Sequence, residues 1–305
     1  MASLWMLWKE WQTSPCVCRG GCMERIGIVS PNIDITVELL SKSVRRKGHT
    51  PVYINPLEFS VHIGREKPSP SYPIDMAIIR DVGGVELGTE GVSFRFERLR
   101  EMSSDIPVIN PPDSILVCAN KYLTTSLLLS YGVPVPETLL TQDTNEAIEF
   151  IEECGDAVVK PIYGYKGKGI LRFRPPVERN LLESILKQRG VLYLQKFVGS
   201  GKGDVRVFVV GKEVLGAVRR IPSNNWISNL SQGASPHPFD VDDELVDISL
   251  RAKEAVGIEF GGIDIIYDSE GIFVLEVNAT PSVRGLYSVG IDPSDKILNL
   301  LLDRG

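Results

Sequence analysis

At 305 residues, with 43% hydrophobic and 24% charged side chains, the chain has the balance of a folded protein of two or three packed units, which excludes disorder on a large scale. A formal net charge of −6 excludes a general nucleic-acid binder, whose phosphate contacts call for a basic surface. No run of about 18 apolar residues exists to cross a membrane. The cysteines, of which Cys16, Cys18 and Cys22 crowd the start, form no disulfide framework, so the expected compartment is the reducing cytoplasm.

Residues 1–22 differ in character from the rest of the chain. Trp5, Trp8 and Trp11 at spacing three are compatible with a helix face that touches a membrane, and the three cysteines with thiolate ligands, but the basic residues are few and a zinc site would lack its fourth ligand. The expectation is an extension outside the fold, with Met23 as an alternative start. From there the pattern is that of a βαβ unit: a strand in RIGIVS, a helix over 34–47 stopped by Gly48, and a strand in PVYIN. MAIIRDVG and IPVINPP give further strands, so residues 23–112 read as a Rossmann-like parallel sheet with ligands at the carboxyl ends of its strands. Arg80, Asp81 and Gly83 fall at such an end, where Arg80 either holds a substrate carboxylate or forms a solvated pair with Asp81.

Asp113 is positioned to cap a short helix, and a longer one runs over 121–131 before Gly132 and Pro134. Residues 138–140 are extended, Asp143 and Glu146 make a capping box, and the strand AVVKPI carries Lys160. The turn Gly164-Tyr165-Lys166-Gly167-Lys168-Gly169 comes next. Glycines there let backbone N–H groups approach phosphate oxygens while Lys160 neutralises charge, although an ordinary hairpin turn uses the same residues. VLYLQKFV reads as a strand leaving this unit, so boundaries are set at 113–190 and 191–305. DVRVFVV and EVLGAVRR form a hairpin through Gly211-Lys212, and residues 221–238 read as a polar loop in which Asn225, Trp226, Asn229 and Gln232 favour binding. A helix over 242–256 leads to the stretch 261–282, and residues 297–302 close the chain.

That stretch, GGIDIIYDSEGIFVLEVNATPS, reads as a hairpin. A three-residue loop of Ser269, Glu270 and Gly271 pairs Asp268 with Ile272 and sets Asp264 opposite Glu276, with Asn278 on the same face. Three hard oxygen ligands then converge, as suits Mg²⁺. The alternative is a pair of acidic residues on a solvated face, but the apolar neighbours Ile265, Val274, Leu275 and Val277 imply burial and a need for counter-charge, which a bound cation supplies.

In order, NKYLTTSLLLSYGVPVPETLL, AVVKPIYGYKGKG, YLQKFV, GDVRVFVVGKEVLGAVRR, NWISNLSQG, GGIDII and LEVNATPS resemble the ATP-grasp ligases, in the branch that adds glutamate to a carboxylate. IRDVG, IPVINPPD and NWISNLSQG are most similar to the archaeal tetrahydromethanopterin glutamate ligases. The resemblance implies an ATP-grasp fold of mixed α/β and α+β type, with ATP between two lobes behind the Rossmann-like domain. It implies that Lys121, Lys160 and the glycines Gly164, Gly167 and Gly169 meet phosphates, that Gln195, Lys196 and Phe197 line the hinge beside adenine, and that Asp204 contacts the nucleotide. Asp264, Glu276 and Asn278 match ligands of two Mg²⁺ or Mn²⁺ ions, and Arg220 and Asn229 match groups near the transferred phosphoryl. Two positions depart from the pattern: Lys196 stands where many relatives have Glu, and Ile227 where many have Arg.

The activity so implied joins L-glutamate to a pterin-type carboxylate through an acyl phosphate, in a cytoplasmic homodimer that binds neither nucleic acid nor membrane. Rival acceptors are a deazaflavin coenzyme and a small-subunit ribosomal protein; a rival of another class is a nucleotide-binding protein of the same fold without catalysis. No Ser-His-Asp or Cys-His constellation competes, because His49, His62 and His237 fall in no motif.

Overall fold

The computed structural model describes residues 23–64, 72–84, 88–164, 168–199, 203–222 and 234–304. β1 (Arg25–Val29) leads through α1 (Ile35–Arg46) to β2 (Thr50–Ile54), and β3 (Met76–Ile79) through α2 (Thr89–Asp105) to β4 (Val108–Ile109). These strands pair in parallel in the order β2-β1-β3-β4, as their near-continuous apolar runs predict. Helix α1 starts where the Asp34 carboxylate accepts from the N–H groups of Thr36 and Val37, at 3.0 and 3.1 Å.

α3 (Pro112–Ala119) and α4 (Lys121–Ser130) come next. The cap of α3 is Pro111; Asp113 lies inside the first turn and its carboxylate is paired with Arg100 instead. A second sheet gathers β5 (Thr138–Thr141), β6 (Ala157–Lys160), β7 (Leu171–Phe173) and β8 (Leu192–Lys196), with α5 (Thr144–Cys154) and α6 (Arg179–Arg189) between them in sequence. Its antiparallel order is β5-β8-β6-β7, so β8 completes this sheet and the middle unit extends past residue 190. The capping box of α5 closes indirectly: the Asp143 N–H donates to the Thr141 hydroxyl, which donates to Glu146.

The third sheet is antiparallel, in the order β11-β10-β9-β12-β13, and is built from β9 (Asp204–Val210), β10 (Glu213–Ile221), β11 (Ser235–Phe239), β12 (Phe260–Asp268) and β13 (Gly271–Asn278). α7 (Asp243–Val256) precedes β12, and α8 (Arg284–Ser288) and α9 (Ser294–Leu302) complete the fold. Residues 235–239, expected in a loop, pair with β10 although they hold two prolines. An edge strand tolerates Pro because its outward N–H has no partner to lose.

The packing divides unequally. One apolar cluster joins Val29, Ala77, Ile79 and Phe96 of the first sheet and its helix to Val205, Val207, Ile263 and Val277 of the third. On the other face of the first sheet, Ile26, Ile28 and Ile78 pack with Ile297, Leu298 and Leu301 of α9. The middle sheet closes a core of its own around Ala157, Val159, Leu182, Leu192 and Leu194. Two units thus share packing, while the third is attached to them.

Candidate active site

The β12–β13 hairpin carries the acidic donors in the expected alignment, reached by a different route. Asp268 pairs with Gly271, not Ile272, so the turn is one residue shorter; an extra residue on β13, Leu275, then restores the register. Asp264 therefore faces Glu276, and Gly262 faces Asn278. On its other side Asp264 pairs with Arg206 of β9.

Asp264 is almost wholly buried, and the counter-charge that burial demands, expected from a cation, is supplied here by protein side chains. Its two oxygens accept from Arg206 Nε and Nη2, each at 2.6 Å, and Arg220 Nη2 lies 2.9 Å away. Arg220 in turn donates to both oxygens of Asp204, at 2.6 and 2.5 Å. Burial works to raise the Asp264 pKa, yet Arg206 and Arg220 outweigh it and hold the carboxyl down at about 2. Burial lifts Asp204 to about 6 in spite of Arg220. Asp204, expected at the nucleotide, thus has both oxygens committed to Arg220. Arg206 was not anticipated, although the alternation in DVRV places it on the face of β9 that meets Asp264.

A second group lies alongside. Lys121 Nζ is 3.3 Å from Glu276 Oε1, and its backbone N–H donates to the Ile162 carbonyl at 3.1 Å. Gly164 is close by: a Cβ on it would come within 3.5 Å of Lys121 Nζ. Lys160 donates to the Gln195 amide oxygen at 2.6 Å, and Gln195, itself buried, is fixed through its amide nitrogen by Thr138 and Tyr193. Withdrawal from water, then the charge of Lys121, pulls Lys160 down from 10.5 to about 8, with Glu276 partly opposing. Two neighbouring ammonium groups faced by one carboxylate make a pocket short of negative charge, which is what a polyphosphate supplies.

The remaining expected residues are more peripheral. Lys196 Nζ is held by Glu270 at 2.7 and 2.8 Å, a bond from the middle sheet to the β12–β13 turn. Its neighbour Phe197 stacks under the Arg172 guanidinium, 3.4 Å from the ring centroid. Gly169 takes a positive φ of 70° and its carbonyl accepts from Arg189. Gly167, Trp226 and Asn229 lie outside the described residues. Arg80 is not paired with Asp81; it is buried and donates to Asp34 and to the Thr280 carbonyl. Arg95 is also buried and donates to the Gly84 carbonyl.

The donor set fits a hard cation. Asn278 Nδ2 stands 3.3 Å from Asp264 Oδ2. Turning the amide, an assignment made from hydrogen bonding alone, brings its oxygen to that place. Adjacent oxygens on an octahedral Mg²⁺ with bonds of about 2.1 Å are about 3.0 Å apart.

A small antiparallel lobe carrying Lys160, with Lys121 of α4 beside it, set against a larger sheet whose hairpin carries Asp264, Glu276 and Asn278, is the arrangement of an ATP-grasp enzyme. The model of the RimK-like ATP-grasp domain matches residues 118–301. The tetrahydromethanopterin:alpha-L-glutamate ligase of Methanosarcina acetivorans is 35% identical, covering 92% of this chain and 99% of the relative. The alpha-aminoadipate–LysW ligase LysX of Saccharolobus solfataricus is 34% identical over 60% of this chain and 69% of its own length. In fold, the chain resembles the ATP-grasp ligase PsnB complexed with minimal precursor, Mg and ADP: the TM-score is 0.70 at 22% identity, covering 92% of this chain and 97% of that one. The chain belongs to the RimK-like ATP-grasp family and is a ligase.

Proposed function

We propose that the protein joins L-glutamate to the terminal carboxylate of tetrahydromethanopterin at the expense of ATP. Similarity over nearly the whole length of a ligase named for that reaction supports the acceptor. The observation that carries the chemistry is the facing of Lys121 and Lys160 with the Asp264, Glu276 and Asn278 hairpin. In this reading the acceptor carboxylate attacks the γ-phosphorus, an O–P bond forms and the bond to ADP breaks. The glutamate amine then attacks the acyl carbon, the C–O bond to phosphate breaks, and the amine loses a proton.

The chain's residues act by position and charge, with no protein nucleophile. Lys121 and Lys160 neutralise the phosphates, Gln195 keeps Lys160 extended toward them, and backbone N–H groups at Gly164 and Gly169 approach the same oxygens. Lys196 and Phe197 border the adenine. Arg220 and Arg206, aligned by Asp204 and Asp264, face the charge that builds on the transferred phosphoryl. Asp264, Glu276 and Asn278 would hold Mg²⁺ or Mn²⁺, as two ions, and the bound metal would draw charge from the phosphates. A homodimer in the cytoplasm belongs to the same reading and is open to light scattering and fractionation; among the described residues no helix is long and apolar enough to cross a membrane.

The test is incubation with ATP, Mg²⁺, L-glutamate and one acceptor at a time, followed by mass spectrometry. Gain of one glutamate on tetrahydromethanopterin with release of ADP is expected. Gain only on a deazaflavin coenzyme or a ribosomal protein sinks the acceptor, and no ADP release with any carboxylate sinks the ligase reading of this site.

A further inference from the structure

The strand that carries Glu276 and Asn278 is the outermost of its sheet. Among the described strands β13 pairs with β12 alone, apart from one bond of the Val274 N–H to the Pro134 carbonyl, and its last paired residue is Asn278. Strand ends with one neighbour fray, so something must hold the exit if two ligands near it are to keep their places. In this chain the holding groups come from the first sheet, about 170 to 200 residues earlier, counted from the separations of the bonded pairs.

Two residues that stand immediately after neighbouring parallel strands reach across. Asn110, which follows β4, has no exposure at all, and its amide is fully used. Its oxygen accepts from the N–H groups of Glu259 and Phe260, at 2.6 and 3.1 Å, and its nitrogen donates to the carbonyls of Phe260 and Ala279, at 2.7 and 2.5 Å. It therefore staples the start of β12 to the residue directly after Asn278. Arg80, which follows β3, donates through Nη1 to the next carbonyl, Thr280, at 3.0 Å. Its Nη2 bonds Asp34 at 2.6 Å, and Asp34 is itself fixed as the cap of α1. A third tie is weaker: the Val283 N–H donates to the Thr36 hydroxyl at 3.3 Å.

A solvated loop would satisfy the Ala279 and Thr280 carbonyls with water. Here two buried polar side chains are committed to consecutive carbonyls, and Arg80 is oriented by its bonds to Thr280 and Asp34. We propose that Asn110 and Arg80 are positioning residues for the divalent cation, fixing the exit of β13 so that Glu276 and Asn278 stay aligned with Asp264. The first domain is then a structural part of the metal site as well as a neighbour of it. This rests on the reading of Asp264, Glu276 and Asn278 as ligands.

The test measures metal directly. Mn²⁺ binding in the presence of ADP is followed by the electron paramagnetic resonance of free Mn²⁺, and ADP binding without metal by calorimetry, for wild type, Arg80→Ala, Arg80→Lys, Asn110→Asp and Glu276→Gln. Loss of an outer partner that orients a ligand costs about tenfold or more in metal affinity. Arg80→Ala and Asn110→Asp are expected to weaken Mn²⁺ by at least about tenfold while metal-free ADP binding stays within about twofold, with Arg80→Lys between them and wild type. If Asn110→Asp does not fold, the two Arg80 variants carry the comparison, since the Asp34 cap survives them. Unchanged Mn²⁺ affinity in a folded Arg80→Ala overturns the proposal, as does an equal loss of metal-free ADP binding. Glu276→Gln separates the two levels: if it leaves Mn²⁺ binding intact the ligand reading fails, whereas if it abolishes binding and Arg80→Ala does not change it, only the positioning role fails.

Discussion

Lys160 ties the site to pH. Its ammonium is held in partly buried surroundings at a pKa of about 8 against an ordinary 10.5. The burial cost is therefore felt in full below about pH 8 and fades as pH rises toward 10.5, because across that window the unfolded chain binds the extra proton. Affinity for phosphate runs the other way. We expect kcat/KM for ATP to fall as pH rises through about 8 while global stability does not, and Lys160→Arg, which keeps its charge, to flatten that fall. The same decline in both proteins would refute the assignment. Glu276 is half-buried and, among the described residues, paired only with Lys121 at 3.3 Å, so Glu276→Gln should lower ADP release by about 100-fold or more with little change in melting temperature. Near-normal turnover would remove it from the metal site. At this scale the facing of Asp264 and Glu276 was legible, because the alternation of a hairpin sets which carboxylates share a face. What stayed hidden was pairing: DVRV shows that Asp204 and Arg206 share a face, but not that Asp204 would be taken up by Arg220 and Arg206 by Asp264.

Gly203 shows how tightly the β9–β10 hairpin is closed over this charge network. It has a φ of +78°, and a Cβ on it would lie 2.0 Å from the Arg220 carbonyl oxygen. Gly203→Ala should therefore cost more than the roughly 1 kcal/mol of an ordinary positive-φ glycine, and should lower activity by parting Asp204 from Arg220. Thermal melting and ADP release measured on one preparation check this; an unchanged melting temperature would mean that the backbone gives way freely. Elements with apolar alternation or a capping residue were readable, as for β1, α1, β9 and α7. Others were not. α2 starts at Gly88 with no side-chain cap and turns two arginines toward partly buried ground, so no helix signal stood out over residues 89–105. The prolines of β11 read as loop because a sequence does not say which strand will be at an edge. The β12–β13 turn was read one residue too long, and the pairing of Asp264 with Glu276 survived because the bulge at Leu275 compensates.

Among the described residues, the middle lobe packs apart from the rest of the molecule. The middle lobe keeps its own around Val159, Leu182 and Leu194, whereas the first and third sheets share one. Hydrogen exchange should resolve this: amides of Val159 and Leu194 are expected to open as one unit at lower free energy than those of Ile28 and Ile263, which should exchange together. A single rate class across all four would contradict it. The lid on the other side of the first sheet has a different consequence, one of time. Ile297, Leu298 and Leu301 are fully buried against strands laid down at the start of the chain, and Ser43 bonds Asp295 across 252 residues. Each such side chain contributes about 1.5–3 kcal/mol. During synthesis the first sheet leaves the ribosome with that face covered only in part, by Val37, Leu40 and Val44 of α1, and stays so until α9 emerges. A stalled nascent chain ending at residue 290 should then be cut by protease within the first domain and recruit chaperones, while the released protein resists both.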